Sequence, residues 1–502
     1  MKALHIPAAI IVCLAFAQCS LDKDPISQYS EIILGESQGS DRIKYKTRAE
    51  MLTQYEAIYR RIKNDQGPQA LNYFLLSEAH SDNAYGGTTD NETIPMESNS
   101  LDATHGPTSN DWTDFMNEIS YANRVICNIE AVPDPALTPA ERAQWMAEAK
   151  IFRALTMFEM ARRWGNIPLV TSEGEDITAE NIEEVYPQYF PAQSTINEAF
   201  AQIEKDLLEA LPGAPDNNGD KTRFSKAVAR ALLAKLYAEK PIRNYDKAIK
   251  YADEVISDPG FALNESYADL FAMTDDNSDI RQRSTKESIL EINYFPGAGN
   301  WFTWLFGRNL SNWDEQFTWA KWVTPSRDLI AAYEKEGDTT RLNQTIVYYS
   351  CGWSYYYPAE KYAFIYKYRS SASSIIRLRL ADIILIKAEA LAGKNDIAGA
   401  ASLVNQIRKR AGLPDLKPAA TASQAAMQEA VLNERRLELA MEGHRWYDLV
   451  RNDKVEEVMN SLNSRDPGRL KHARPYGEYS CLIPIPQSEL DRNDNLLQNP
   501  GY

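Results

Sequence analysis

Ten aromatic side chains crowd residues 294–322: Tyr294, Phe295, Trp301, Phe302, Trp304, Phe306, Trp313, Phe317, Trp319 and Trp322. Half of the chain's ten tryptophans fall in that stretch, and Trp353 follows inside a second patch of Tyr348, Tyr349, Tyr355, Tyr356 and Tyr357. Gly297, Gly299, Gly307, Asn300, Asn309 and Asn312 interrupt the first run, so it does not read as one buried helix. A flat indole or phenol offers a large contact area with few rotors to freeze, and it suits the apolar C–H faces of sugar rings. Asn, Asp and Gln nearby would bond hydroxyls or amides. Non-covalent capture is therefore the chemistry these residues suit, with Trp301, Trp304, Trp313 and Trp353 as first candidates and Tyr355 and Tyr356 behind them. The competing reading is that the rings fill a core beneath a long loop.

Catalytic patterns are absent from the sequence. There is no G-x-S-x-G elbow, no H-E-x-x-H and no phosphate loop, and Gly297-Ala298-Gly299 lacks a third glycine. A glycosidase pair cannot be picked out from the 70 acidic residues by counting. Asp275-Asp276-Asn277-Ser278-Asp279 opens like a calcium loop. It then has Ile280 where glycine is needed and Lys286 where glutamate is needed, so neither metal nor cofactor is expected. The formal charge of −16 argues against a nucleic-acid partner. Beyond Cys13 and Cys19 only Cys127, Cys351 and Cys481 remain, which allows one disulfide at most.

The elements that must carry the aromatic stretches are helical. Residues 48–63 place Met51, Leu52, Tyr55, Ile58, Tyr59 and Ile62 on one stripe, and 112–129, 141–164, 194–211 and 224–239 repeat the habit. Residues 224–239 with 245–257, and 380–391 with 397–410, read as α-hairpins slightly longer than a tetratricopeptide unit. Such hairpins cannot bury their faces alone, so they must stack on each other or on a second lobe. Residues 81–111 and 165–193 read as long loops, the second anchored by Ile167 to Val170.

One charged run stands apart. Asn433 to Arg451, NERRLELAMEGHRWYDLVR, has helical apolar spacing broken at Gly443, which predicts helix, tight corner, helix. Glu434, Glu438 and Glu442 are like charges four residues apart, disfavoured in an isolated helix. Tertiary ion pairs, with Arg435, Arg445 or Arg451 as candidates, are expected to compensate them.

This run resembles the ERRxEL-x-x-EGxRW-x-DL-x-R signature of the SusD/RagB family of bacterial nutrient-binding lipoproteins. EAKIFRALTMFEMARRWGNIPLV (148–170), RLRLADIILIKAEAL (377–391), VNQIRKRAG (404–412), LIPIPQSEL from Leu482 and the closing NDNLLQNPGY match in order. The resemblance implies a mainly all-α fold, with tetratricopeptide-like hairpins against a loop-rich, irregular second lobe. It also implies an oligosaccharide or, in the RagB branch, a peptide ligand, and a SusC-like TonB-dependent transporter as partner. By region rather than by motif, it places Asn83 and Tyr85 at the ligand.

The N-terminus fits such a protein. Lys2 precedes an apolar run over 6–17 too short to span a bilayer, ending at Ala17-Gln18-Cys19, so Cys19 is the expected lipidation site. The resemblance implies an outer-membrane anchor that faces the cell exterior. The expected divisions are a signal peptide over 1–18, a helical region over 19–259, an aromatic ligand-binding part over 260–373 and the signature region over 374–502. Two other readings remain open: an α-helical glycan hydrolase, or a repeat scaffold that binds only proteins.

Overall fold

The computed structural model describes residues 43–64, 67–86, 90–216, 219–305, 307 and 323–502. Its long helices are α1 (Arg48–Ile62), α2 (Gly106–Asn128), α3 (Pro139–Trp164), α4 (Ile196–Ala210), α5 (Lys226–Ala238), α6 (Tyr245–Ile256), α7 (Arg327–Glu336), α8 (Thr339–Thr345), α9 (Leu380–Gly393), α10 (Ile397–Arg410), α11 (Gln424–Glu438) and α12 (Arg445–Arg451). Local chemistry sets their starts. Thr47 with Glu50, Thr138 with Glu141 and Thr195 with Glu198 form reciprocal capping boxes, each cap contributing about 1 kcal/mol.

Successive helices pack on one another: α1 on α2, α2 on α3, α3 on α4, α5 on α6 and α9 on α10. The α5–α6 and α9–α10 hairpins were legible in sequence, and α6 against α9 joins them across more than a hundred intervening residues. Small residues permit the close approach, Ala227, Ala229, Ala231 and Ala234 on α5 all being buried. Lys44–Tyr502 forms one compact unit.

Two loop expectations need correction. Residues 81–111 are not one long loop: a helix spans Asp90–Glu97, and α2 begins at Gly106 rather than Trp112. Polar Thr108 and Asp111 hid that first turn, yet both are buried. Asp111 meets the Arg163 guanidinium and takes an N–H from Asn72 Nδ2 at 2.6 Å. Residues 260–373 likewise hold α7 and α8 and the strands β2 (Ser288–Ile292), β4 (Ile346–Tyr349) and β5 (Tyr362–Ile365), with β1 (Ala84–Tyr85), β3 (Thr324–Pro325) and β6 (Ile375–Arg379) as partners. The pairs β1–β3, β2–β6 and β4–β5 are all antiparallel.

The C-terminal NPGY is a clamp. Asn499 Nδ2 donates to the carbonyls of Trp164 (3.0 Å) and Ile483 (2.8 Å), and Trp164 Nε1 donates to Pro484 O at 3.0 Å. Among the described residues, Cys127, Cys351 and Cys481 form no disulfide. In the run from Asp275, Asp276 caps its own turn through Thr274 and Ser278, and Asp279 pairs with Arg283 at 2.6 Å.

Glu118, buried on α2, accepts from Gln69 Nε2 at 2.7 Å and Thr156 Oγ1 at 2.9 Å. Burial pushes its carboxyl up to about 8. A carboxyl raised in the folded state holds its proton more tightly there than in the unfolded chain. Its stabilising preference is therefore full below the unfolded value and is lost as pH rises towards 8. Glu118→Gln is expected to raise the melting temperature at pH 8.5 and to change it little near pH 4, as measured by thermal unfolding at both.

Candidate functional site

The aromatic stretches meet on the β4–β5 hairpin, whose register pairs Val347 with Phe364, Tyr348 with Ala363 and Tyr349 with Tyr362. Alternation puts Tyr348 and Ala363 on one face and Tyr362 and Phe364 on the other. Trp353, half-buried, lies edge-on to Tyr362 (5.7 Å between centroids) and Phe364 (6.1 Å). Tyr348 projects from the opposite face, 38% exposed. Trp301, 45% exposed, sits where Asn300 N donates to Ser371 O (2.8 Å) and Gly307 bridges to Ile365, the far end of β5. Beneath it Phe302 packs against Phe74 and Tyr368.

Tyr355, 53% exposed, stands edge-on to Tyr356 at 4.7 Å. Open rings thus stand near both ends of β5, whose three residue steps span about 10 Å. The platform beneath Tyr355 is rigid. Tyr356 stacks on Tyr85 at 4.2 Å and 9°, and its hydroxyl donates to Glu97 Oε2 at 2.6 Å. Burial, reinforced by the Glu97 carboxylate, pushes that phenol well above its ordinary value, so it stays a donor. Tyr357 Oη donates to Pro325 O at 2.8 Å, tying the platform to β3.

Three expected ligand residues lie buried rather than open to solvent. Asn83 and Tyr85 are both 0% exposed, and Tyr356 is 5% exposed. Asn83 Nδ2 donates to Glu78 Oε2 at 2.9 Å, and its Oδ1 accepts from Arg436 Nε at 3.0 Å. Tyr85 Oη donates to Asp466 Oδ2 at 2.7 Å. Region alone placed these two, and the whole segment 83–85 is buried. Trp313, Cys19 and the side chain of Trp304 lie outside the described residues. Sequence reading missed Arg327 and Lys361, which border the same rings. Lys361 Nζ lies 5.0 Å from the Tyr348 ring and Arg327 Cζ lies 4.4 Å from the Tyr357 ring.

A cavity lies elsewhere. About 590 Å³ opens between α7 and α11, lined by Ala331, Ala332, Ala419, Ala420, Ala426 and Ala430 with charged neighbours and no aromatic ring. Alanines and paired charges offer no flat face to a sugar, so the aromatic ledge is the better candidate. A second hollow of about 260 Å³ opens beside exposed Phe295, with Lys63 and Arg223 on its rim.

The charged run 433–451 is interior. Glu438 is fully buried and meets Arg379 at 2.6 Å, Arg341 at 3.1 Å and Arg410, while Glu434 meets Arg341 at 2.7 Å and Glu442 meets Arg379 at 2.6 Å. Burial pushes the Glu438 carboxyl up, but the guanidiniums of Arg410, Arg379 and Arg341 outweigh it and hold the group well below the usual carboxylate range. The compensating cations are therefore not the expected Arg435, Arg445 and Arg451. Those three serve other acids: Arg435 takes Asp382 and Asp448 (both 2.9 Å), Arg445 takes Asp82 (2.8 Å) and Arg451 takes Glu389 (2.7 Å). Gly443 makes the corner with φ +84°, and a Cβ there would lie 2.2 Å from Tyr73 Cε1, so no other residue fits.

Comparison with known proteins gives a consistent result. The SusD family model matches residues 240–502, and a model described as starch-binding, associating with outer membrane, matches 34–238. A SusD-like protein of Formosa agariphila is 27% identical over 428 residues, covering 78% of this chain and 79% of that one. Another from Bacteroides ovatus is 25% identical, covering 68% and 64%. Among solved structures, a laminarin-binding SusD-like protein superposes with a TM-score of 0.69 at 26% identity, over 91% of this chain and 100% of that chain. Surface glycan-binding protein A from Bacteroides thetaiotaomicron, solved with laminarihexaose, shares the fold with a TM-score of 0.70 at 20% identity, over 90% and 100%.

Proposed function

The chain belongs to the SusD family of non-catalytic binding proteins, and from that premise we propose that it captures oligosaccharides on the ledge of the exposed rings Trp301, Tyr348 and Tyr355. The carrying observation is that Trp301 and Tyr355 stay about half exposed, while beneath Tyr355 the Tyr356 ring is locked by its hydrogen bond to Glu97 and by stacking on Tyr85, and beneath Trp301 the Phe302 ring is packed against Phe74 and Tyr368. Open aromatic faces on an immobile base present contact area at little entropic cost. Relatives named for binding laminarin, or solved with laminarihexaose, support a glycan as the ligand class.

In this reading Cys19 carries the lipid that holds the protein at the outer surface of the outer membrane. The stacked hairpins dock on a SusC-like TonB-dependent transporter, which receives the glycan. Delivery requires release, so a dissociation constant of roughly micromolar to millimolar is expected, about −8 to −4 kcal/mol. The test is calorimetric titration of the purified chain with an oligosaccharide panel and a peptide panel. Saturable heat with a glycan supports the reading. Saturable heat with peptides and none with any glycan overturns it.

A further inference from the structure

We propose that the Tyr355 end of the ledge is built for an acidic sugar, with the Arg327 guanidinium receiving its carboxylate or sulfate. Arg327 is the first residue of α7 and is exposed. Its guanidinium is nevertheless fixed in place. Nη1 donates to Tyr85 Oη at 3.2 Å, Nη2 donates to the Tyr356 carbonyl, and the plane lies 4.4 Å from the Tyr357 ring centroid. A Cβ at Gly468 would come within 2.4 Å of Nη1, so the chain leaves that space to the guanidinium.

Arg327 makes no ion pair with any described carboxylate, although the chain carries 70 acidic residues. Asp328, its neighbour in sequence, is taken by Arg436 at 2.8 Å and by Arg465. Asp466 stands one hydroxyl away and spends itself on Tyr85 Oη. Lys361, over the Tyr348 ring, likewise pairs with no described carboxylate. Tyr348 and Tyr357 stand 6.5 Å apart, edge to face, so the two cations border one aromatic surface.

A pinned guanidinium loses little freedom on binding, and its remaining N–H groups match the planar oxygens of a carboxylate or the oxygens of a sulfate. The neighbouring Tyr355 and Tyr348 faces would hold the sugar ring that carries the acid. This inference rests on the glycan-binding reading and adds the charge of the ligand to it.

The test compares matched probes: an oligogalacturonate against its methyl ester, and a sulfated oligosaccharide against its desulfated form. The acid form should bind wild-type protein about ten-fold more tightly or better, the worth of a hydrogen bond to a charged group. Raised salt should erode that preference. Arg327→Gln should abolish the preference, read as the ratio of acid-form to neutral-form affinity in the same variant, and Arg327→Lys should retain part of it. The carboxylate and sulfate arms separately identify the anion. Equal affinity for acid and neutral forms overturns this inference and leaves glycan capture standing. Failure of every glycan to bind, with peptides binding instead, overturns both. The wild-type comparison alone suffices should the glutamine variant not fold.

Discussion

Arg379→Met is expected to destabilise the folded chain by about 3–5 kcal/mol, the cost of removing one partner from a buried ion cluster. Arg379 is buried and faces three carboxylates, Glu287 at 2.8 Å, Glu438 at 2.6 Å and Glu442 at 2.6 Å. Methionine fills similar volume but leaves those acids to share Arg341, Arg410 and Lys367. Replacing the whole cluster with apolar residues would be a different experiment and can be neutral. The pH dependence carries a sign. A carboxyl held below its unfolded value, as Glu438 is, contributes stability that is present above the unfolded value and lost as pH falls towards the folded one. In the variant the acids lose a cation and protonate more readily, so the gap to wild type should narrow between pH 7 and pH 4. Urea unfolding at both values reads it; an unchanged midpoint at pH 7 would show that the cluster does not support the fold.

The second large effect concerns the ledge. Trp301→Ala and Tyr355→Ala should each weaken glycan binding by about ten-fold, the usual loss when a central aromatic anchor is truncated. Acting independently, the two losses should combine to about a hundred-fold in the double variant. Neither substitution should shift the unfolding midpoint much, since both side chains are already about half in solvent. That combination of lost binding and kept stability separates a ligand ledge from a core-filling role. Full affinity in the double variant, measured by calorimetry, would reassign the rings to packing.

Much of the scaffold was readable because helices advertise their buried face at fixed spacing. Met51, Tyr55, Ile58 and Ile62 predicted α1, and the two α-hairpins followed from their small residues and closing Pro-Gly signals. Helix α7 was not read. Its apolar face is only Leu329, Ile330 and Tyr333, and it follows directly on a dense aromatic run. Tertiary ion pairing of the charged signature was expected, but its partners were not visible. Arg341 and Arg379 lie 97 and 59 residues from Glu438, and no local pattern encodes such pairings.

At the ledge, composition identified the aromatic stretches and left open which rings face water. That depends on how the β4–β5 loop turns: adjacent Tyr355 and Tyr356 differ, one half exposed and one buried beneath it. Asn83 and Tyr85 are both fully buried, which position in the chain does not reveal. Arg327 carried no signal in sequence, because an arginine at the start of an amphipathic helix is ordinary until its missing acid partner is seen.

The most direct test is a crystal structure of the chain with a bound oligosaccharide that saturates in calorimetry. Sugar rings resting on Trp301 or Tyr355 along the β4–β5 hairpin are the expected result. A sugar lodged in the alanine-lined groove between α7 and α11, with both rings untouched, would contradict it.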